Sequence, residues 1–431
     1  MELNELYNKT VINPYAFSLL LIMCIIVLFG KREYIIVPLI IIACLITNMQ
    51  RIVIFGIDFP YLRILIIMGL LRSLLGNIQS SMTFNTVDRL MVYWMIIRTI
   101  AYTILWSSIN AFIYRLGEGV DILGAYFLVR LVVKDLKDYD LIIKTLIIVS
   151  IPFATFMIIE QVTDGRNYFS VFGGVAEYNL IREGKLRAQG SFNHPILAGT
   201  FGALILPLTW IMWHRNKKLL AVAGLICSFI ITFASSSSGP VVTLGVGIFG
   251  IIFWRFKKYT KTMRNLLFFS LIFLHLVMNK PVWHLISRID LVGGSTGYHR
   301  YFLIDSAVRN FFNWFIFGTR YTGKWGRGLD DVTNQYIQEG VRGGILPLIL
   351  FIIIIIKCFQ TVGSVRLKLV DNIENQKYVW GLGVVLFAHV ISFISVSYFG
   401  QIVFFYYLLI ALISSLNNLS VITNEKNEIV T

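Results

Sequence analysis

Long apolar runs separated by short polar connectors make up most of the chain. Many of the runs are about as long as the ~20 apolar residues that cross a bilayer as a helix. The pattern therefore predicts about twelve or thirteen transmembrane helices. They lie near residues 15–30, 34–48, 58–76, 91–113, 119–133, 141–160, 195–213, 219–234, 240–254, 265–279, 341–357, 378–396 and 401–419.

The composition strengthens this interpretation. Of the 431 residues, 57% are hydrophobic and only 14% are charged, whereas a soluble domain carries roughly 25% charged residues. The mean hydropathy is +0.74. We therefore expect an all-α, polytopic integral membrane bundle. The first apolar segment lacks a preceding cluster of positive residues, so we expect it to be retained as a helix rather than cleaved as a signal peptide.

The net charge of +15 would suggest a nucleic-acid ligand in a soluble protein, but here the cations cluster in short connectors. Lys and Arg in such connectors mark the cytoplasmic side of a membrane protein. The strongest markers are residues 214–218 and 255–264. By alternation, residues 357–377 and the tail after Leu419 fall on the same side. We expect no nucleic-acid partner.

Two longer polar segments then fall on the extracytoplasmic face, at residues 161–194 and 280–340. They divide the chain into three parts: transmembrane helices with the first loop (1–279), the large extracytoplasmic loop (280–340), and the C-terminal transmembrane helices (341–431). The first four apolar runs are less regular, so the side on which the N-terminus lies stays open.

Several chemistries lack a signal in the sequence. The four cysteines form no CxxC pair, and no HExxH spacing occurs among the six histidines, so neither a disulfide framework nor a metal site is predicted. The chain has no GxxxxGK[ST] motif and no GxGxxG motif after a strand. We expect no cofactor.

The stretch R-A-Q-G-S-F-N-H-P-I-L-A-G, residues 187–199, begins an apolar helix. Pro195 suits the first helical turn, with Ser191 or Asn193 as the capping residue. Small residues at 198, 199 and 202 form a face that another helix can approach closely. These local roles leave three cations unexplained, and cations beside a helix N-terminus are suited to hold an anion. They are Arg182, Lys185 and Arg187.

The second long polar segment, residues 280–340, also combines a predicted helix with several cations. Residues 298–317 alternate polar and apolar positions at helical spacing, which predicts an amphipathic helix that lies on the bilayer surface or caps the bundle. The loop carries seven cations, an excess on the side where the charge rule disfavours them. Arginine recognises phosphate with two parallel hydrogen bonds, so two arginine-bearing loops suggest a phosphorylated ligand.

Further arginines interrupt apolar runs: Arg63, Arg72, Arg98 and Arg130. An arginine in the middle of a membrane helix costs about 2.5–3.5 kcal/mol on insertion scales. Arg130 lies near the end of its run, where its side chain can extend to the interface. Arg98 has apolar neighbours on both sides, and we expect it to line a polar cavity.

Four segments, in this order, resemble the O-antigen polymerase and ligase family of membrane glycosyltransferases. The first is 187–199, an arginine, glycine and aromatic pattern leading to His-Pro. The second is S-S-S-S-G at 235–239, without the arginine that family members often have there. The third joins G-Y-H-R at 297–300 to F-I-F-G-T at 315–319, and the fourth is T-N-Q-Y-I-Q-E-G-V-R-G-G at 333–344. The resemblance covers roughly residues 120–430.

The resemblance implies a GT-C-like helical bundle in the bacterial cytoplasmic (inner) membrane. Such enzymes take a glycan from a polyprenyl-diphosphate carrier and transfer it to an acceptor hydroxyl on the outer face. They need neither nucleotide nor metal, because the donor carries its own leaving group. The partners implied are the polyprenyl-diphosphate-linked oligosaccharide, the lipid bilayer, and flippase and chain-length regulator proteins.

The resemblance also implies roles for individual residues. Arg187 and Arg300 would stabilise the diphosphate. The family's ligases have a histidine where Thr333 stands, and threonine is no base, so the proton could instead go to Asp330, Asp331, Glu339 or His299. Further substrate-binding residues would be Arg182, Lys185, His194, Arg309, Arg320, Asn334, Tyr336 and Arg98.

Polymerisation of lipid-linked O-antigen or capsular repeat units is the function that we expect, because the ligase histidine is absent. A ligase that transfers the finished glycan to lipid A core is the near alternative. A polytopic transporter or flippase is an alternative from another class, although no inverted repeat or pair of broken helices marks one. A non-catalytic membrane scaffold is a further alternative.

Overall fold

A computed structural model describes residues 9–77, 82–178, 181–182, 184–288, 296–369 and 372–428. Helices account for most of these residues, which confirms the all-α class. The α-helices are α1 (Pro14–Phe29), α2 (Ile36–Leu45), α3 (Tyr61–Arg72), α4 (Thr86–Trp106), α5 (Ile109–Gly119), α6 (Ala125–Val132), α7 (Leu136–Val162), α8 (Pro195–His214), α9 (Lys218–Ala234), α10 (Ser238–Ile252), α11 (Thr260–Val277), α12 (Thr296–Arg309), α13 (Phe311–Trp314), α14 (Gln335–Gly343), α15 (Ile345–Lys368), α16 (Ile373–Ser392) and α17 (Ile402–Glu428).

Among the residues that the structure describes, two short antiparallel hairpins accompany the helices. One joins β1 (Arg51–Ile54) to β2 (Ile57–Pro60), and the other joins β3 (Ile181–Arg182) to β4 (Lys185–Leu186). The first hairpin turns at Phe55 and Gly56, whose φ angles of 52° and 77° are those of a tight two-residue turn. The apolar run predicted to cross the membrane from residue 58 therefore starts as a strand, and its helix begins at Tyr61.

Within the described ranges, four helical stretches are long and apolar enough to cross a membrane: Leu136–Val162, Pro195–His214, Ser238–Val277 and Ile345–Lys368. The third is bent, because a 3-10 segment at Phe253–Tyr259 separates α10 from α11. In the same described part of the chain, three shorter helices are also apolar, at Pro14–Phe29, Lys218–Ala234 and Ile402–Asn417.

Ion pairs gather several connectors at one end of the bundle, which we call the connector end. Arg215, after α8, contacts Asp140 at the start of α7 (3.1 Å) and Glu374 at the start of α16 (2.8 Å). Arg32 contacts Asp138 in the same region of α7, at 2.8 Å. These contacts hold the residues after α8 beside the starts of α7 and α16, and the residues between α1 and α2 beside the start of α7.

The opposite end, which we call the loop end, holds the two long polar segments. The N-terminal segment lies there as well, because Val11 pairs with Arg51 and the Asn13 amide donates to the Val171 carbonyl at 2.9 Å. Ser191 donates to the Cys44 carbonyl at the end of α2. The described chain therefore begins at the loop end.

The arginines that interrupt apolar runs have protein partners. Arg130 and Asp88 are fully buried and lie 2.9 Å apart; the Tyr126 hydroxyl also donates to Asp88, which fixes α6 against α4. Arg63 pairs with Asp121 at 2.7 Å, and Arg72 donates to the carbonyls at the end of α1. Pairing of this kind offsets the cost of placing a charge among apolar side chains.

The small-residue face of α8 meets α9 as expected. A Cβ built on Gly199 would lie 2.2 Å from Ser235 Oγ and 2.9 Å from Pro240 Cβ, and one on Gly202 would lie 2.6 Å from Ile231. The Ser228 hydroxyl donates to the Gly202 carbonyl at 2.7 Å. Glycine at these positions lets the two backbones approach. It also holds residues 235–239 beside residues 187–199, the second and first of the four segments that resemble the glycosyltransferase family, which we call the signature segments.

Replacing Gly199 with alanine should destabilise the protein by about 1–3 kcal/mol, because the new methyl group overlaps Ser235 and Pro240. Gly245→Ala on α10 is the matched control, since a Cβ there meets nothing within 4 Å. The control should be neutral or slightly stabilising, as alanine is the better helix former. Thermal unfolding of the purified protein in detergent measures both, and equal midpoints would contradict the packing described here.

The predicted amphipathic helix over 298–317 is divided in two. α12 ends at Arg309, and the short α13 follows from Phe311. The Trp314 indole returns to α12 and donates to the Ala307 carbonyl at 2.9 Å. The periodicity of the sequence continues across this break because both pieces bury apolar side chains, so the boundary could not be predicted from the pattern.

Candidate functional site

The backbone of the first signature segment is held by α7. The Glu160 carboxylate accepts from the Gln189 N–H (2.9 Å) and the Gly190 N–H (3.1 Å). Gly190 has a φ of 58°, and a Cβ there would lie 2.7 Å from the Phe153 ring, so the turn requires glycine. The conformation of this stretch is therefore imposed by a buried carboxylate from another helix.

Arg187 begins this segment, and His194 lies directly before α8. The Arg187 guanidinium donates to the Ser237 hydroxyl at 2.8 Å, just before α10. His194 is the N-cap residue of α8, and its Nδ1 accepts from the Ile196 N–H at 3.1 Å. Pro195 occupies the first turn as predicted. The expectation of Ser191 or Asn193 as the cap was wrong.

Both of those side chains are used in tertiary contacts, which a local capping rule does not include. Ser191 donates to the Cys44 carbonyl. The Asn193 side-chain oxygen accepts from the Thr47 hydroxyl at 3.2 Å. The stretch is thus tied to the end of α2 as well as to α7.

The chain between α16 and α17, residues 393–401, is the centre around which the signature segments meet; we call it the α16–α17 turn. On one side, the Gln401 amide donates to the Ser191 carbonyl at 2.6 Å, and the Phe399 ring lies 6.4 Å from the His194 ring. The second segment is also close, because a Cβ on Gly239 would lie 2.9 Å from Ser395 Oγ.

The fourth segment contacts the other side of this turn. The Gln335 backbone N–H donates to the Phe393 carbonyl (2.9 Å), and the Gln335 side-chain oxygen accepts from the Tyr398 N–H (2.7 Å). The Asn334 amide donates to the Ile394 carbonyl at 3.3 Å. The Tyr336 hydroxyl donates to a carbonyl of α16 at 3.0 Å, and burial raises the pKa of this phenol. Asn334 and Tyr336 therefore position α14.

The third segment packs on α14. The Thr319 N–H donates to the Val341 carbonyl at 2.8 Å, and Leu303 of α12 belongs to a buried cluster that includes Val341 and Leu329. Arg300 lies one turn before Leu303 and is only 7% exposed. The Arg300 segment thus contacts α14 directly, whereas the Arg187 segment contacts the α16–α17 turn, which α14 also contacts.

Glu339 lies in a buried charge network. It contacts Arg98 at 3.3 Å and accepts from the Gln335 amide at 2.9 Å. Arg98 also pairs with Glu118 at 3.1 Å, and Glu118 pairs with the buried Arg115. Arg98, expected to line a polar cavity, therefore connects α4 and α5 to α14 through ion pairs.

The remaining candidates differ in exposure. Asp331 and Lys185 are exposed and His299 is half-buried, whereas Glu339 is 1% exposed. Asp331 and His299 are thus more accessible to a substrate than Glu339. The side chain of Arg182 lies outside the described residues.

Two more of the predicted cations lie on the surface. Arg309 pairs with Asp305 at 2.7 Å, with 76% of its side chain exposed. Arg320 donates to the Leu105 carbonyl at 2.7 Å and lies over the Trp106 ring at 5.6 Å. Over the described ranges, no three His, Cys, Asp or Glu side chains are grouped as metal ligands.

Sequence reasoning missed Glu160 and the α16–α17 turn. The turn carries Ser395, Tyr398 and Gln401 between two apolar runs, and these polar residues were the available signal that the turn makes polar contacts with other segments. No protein-family model, curated protein or solved structure matches this chain. The functional proposal therefore rests on the resemblance of the four segments and on their arrangement in the structure.

Proposed function

We propose that this protein is a membrane glycosyltransferase that polymerises oligosaccharide repeat units carried on a polyprenyl diphosphate, at the outer face of a bacterial cytoplasmic membrane. The observation that carries the proposal is the assembly of the four signature segments. They are separated in the sequence, yet the first, second and fourth segments contact the α16–α17 turn, and the third contacts α14 of the fourth.

The chemistry requires cations at the leaving group. An acceptor hydroxyl attacks the anomeric carbon of the donor, the bond from that carbon to the diphosphate breaks, and negative charge develops on the departing phosphate oxygen. Preorganised guanidinium groups stabilise this charge. Arg187 and Arg300 are the residues that we assign to this role, while Asp331 and His299 are the candidates to accept the hydroxyl proton.

The apolar helices support a membrane location, since a lipid-linked donor stays in the bilayer while its glycan extends into water. The large loop-end segments then lie where the sugars are. The lipid bilayer and the flippase and chain-length regulator proteins are the partners proposed here. No nucleotide or metal takes part in the step, because the diphosphate is already attached to the sugar.

Reconstitution tests the proposal. The full chain in liposomes, given a polyprenyl-diphosphate-linked repeat unit, should yield a ladder of glycans on a gel. Lipid A core offered as the sole acceptor separates polymerase from ligase, and Thr333 at the position of the ligase histidine leads us to expect no transfer to it. Transport of the lipid across the bilayer without any ladder would identify a flippase and overturn the proposal.

A further inference from the structure

An apolar groove of about 390 Å³ runs along α4 near the loop end. One wall is α4, a second is the segment after α13, and the third is the junction of α14 and α15. Its lining consists of Ile97, Ile100, Ala101, residues 315–317, Gly343 and Ile345–Leu346. Ile100, Ile316 and Leu346 are about half-exposed, so the groove opens to the surroundings along its length.

A cation and two aromatic rings lie where α4 ends. Arg320 donates to the Leu105 carbonyl and stacks on Trp106, and its own side chain is exposed. The Tyr321 ring lies 6.2 Å from the Trp106 ring. From Ile97 to Trp106 the helix rises about 13 Å. Aromatic rings beside a cation are typical of the level of lipid headgroups, so the groove has a polar end and an apolar body.

The groove and the first signature segment lie at opposite ends of α14. Asn334, just before α14, contacts the α16–α17 turn, and that turn contacts the Arg187 stretch. Gly343, the last residue of α14, lines the groove. α14 has nine residues, so Asn334 and Gly343 lie about 13 Å apart along the helix axis. Polymerisation consumes two lipid-linked substrates, which need two places for their lipids.

We propose that this groove binds the apolar chain of the second polyprenyl-diphosphate-linked substrate, with Arg320 at its phosphates. The inference rests on the proposed function. The uniformly apolar lining suits a hydrocarbon chain, and the exposed guanidinium at the end of the groove is complementary to a diphosphate. A membrane phospholipid shares part of this chemistry and becomes an outcome of the test.

The experiment measures binding of a polyprenyl diphosphate without sugar to the full-length protein in nanodiscs, by native mass spectrometry. Ile100→Trp fills the groove, and Ile96→Trp is its control, because Ile96 is 49% exposed against 53% for Ile100 on the same helix but lies outside the lining. Arg320→Gln removes the cation, with the exposed Arg327→Gln as control. We expect one of two bound lipids to be lost with Ile100→Trp and weakened about tenfold or more with Arg320→Gln.

Two bound polyprenyl diphosphates in Ile100→Trp, or equal competition by phosphatidylglycerol, would overturn the groove assignment. Crosslinking from a photoreactive residue at position 100 to the polyprenyl chain provides a readout that does not depend on the folding of the tryptophan variant. The binding assay uses a polyprenyl diphosphate without sugar, so it can detect lipid in the groove even if the protein forms no glycan ladder. If Ile100→Trp still forms a ladder and binds the lipid as the wild type does, the groove assignment is wrong and the proposed function is unaffected.

Discussion

Arg187→Ala is expected to slow glycosyl transfer on the order of 100- to 1,000-fold, as loss of one charge-stabilising donor does in other enzymes. The guanidinium is anchored at Ser237 and sits on a backbone fixed by Glu160, so it is oriented before the substrate arrives. Arg300→Ala should have an effect of the same size. The initial rate of ladder formation in liposomes measures both.

Three controls separate charge from structure. Ser237→Ala removes the anchor but keeps the cation, and it should reduce the rate less than Arg187→Ala. Arg187→Lys keeps a charge without the planar pair of donors, so an intermediate rate is expected. Arg327→Ala removes an exposed loop-end arginine and should leave the rate unchanged. Full activity in both Arg187→Ala and Arg300→Ala would refute the diphosphate assignment.

Asp88→Ala is expected to destabilise the bundle by about 3–5 kcal/mol, because it leaves the Arg130 guanidinium buried without its carboxylate. Both side chains are inaccessible to solvent. The loss also removes the acceptor of the Tyr126 hydroxyl and the side chain that accepts from the Asn85 N–H at the start of α4. Thermal unfolding in detergent, followed by tryptophan fluorescence, should show a large fall in the midpoint.

The double variant Asp88→Leu with Arg130→Met tests the cause. Replacing both members of a buried ion pair by apolar residues of similar size is often neutral, so the double variant should be markedly more stable than Asp88→Ala. Asp58→Ala, which disrupts a partly exposed pair with Arg51 at 3.4 Å, should cost less than about 1 kcal/mol. A double variant as unstable as the single one would mean that the charges are not the source of the effect.

Much of the helical architecture could be predicted from the sequence, because apolar runs of sufficient length have few other structures available to them. The runs near 141–160 and 195–213 correspond to α7 and α8, two of the long apolar helices. The close approach at Gly199 followed from residue size alone. These features depend on local composition, which a single sequence displays directly.

The features that were missed depend on distant partners. The cap of α8 is His194 because Ser191 and Asn193 are engaged by α2 and its following residues. Arg98 pairs with Glu118 and Glu339 from two other elements, and these partners could not be predicted from the apolar run that contains it. The β1–β2 hairpin replaces the start of an apolar run for a similar reason, since Arg51 pairs with Val11 near the N-terminus. Pairings across tens or hundreds of residues leave no local pattern.

The hydrogen bonds from the Gln189 and Gly190 N–H groups to Glu160 limit how the first signature segment can be moved into another protein. Since the shape of residues 187–194 comes from hydrogen bonds with α7, the end of α2 and Gln401, the stretch carries little conformational information of its own. A synthetic peptide with this sequence would lack these contacts, and grafting it into another scaffold would not reproduce its conformation. A chimera intended to exchange this stretch has to include α7, whose Glu160 carboxylate accepts its N–H groups, and the α16–α17 turn, whose Gln401 amide donates to it.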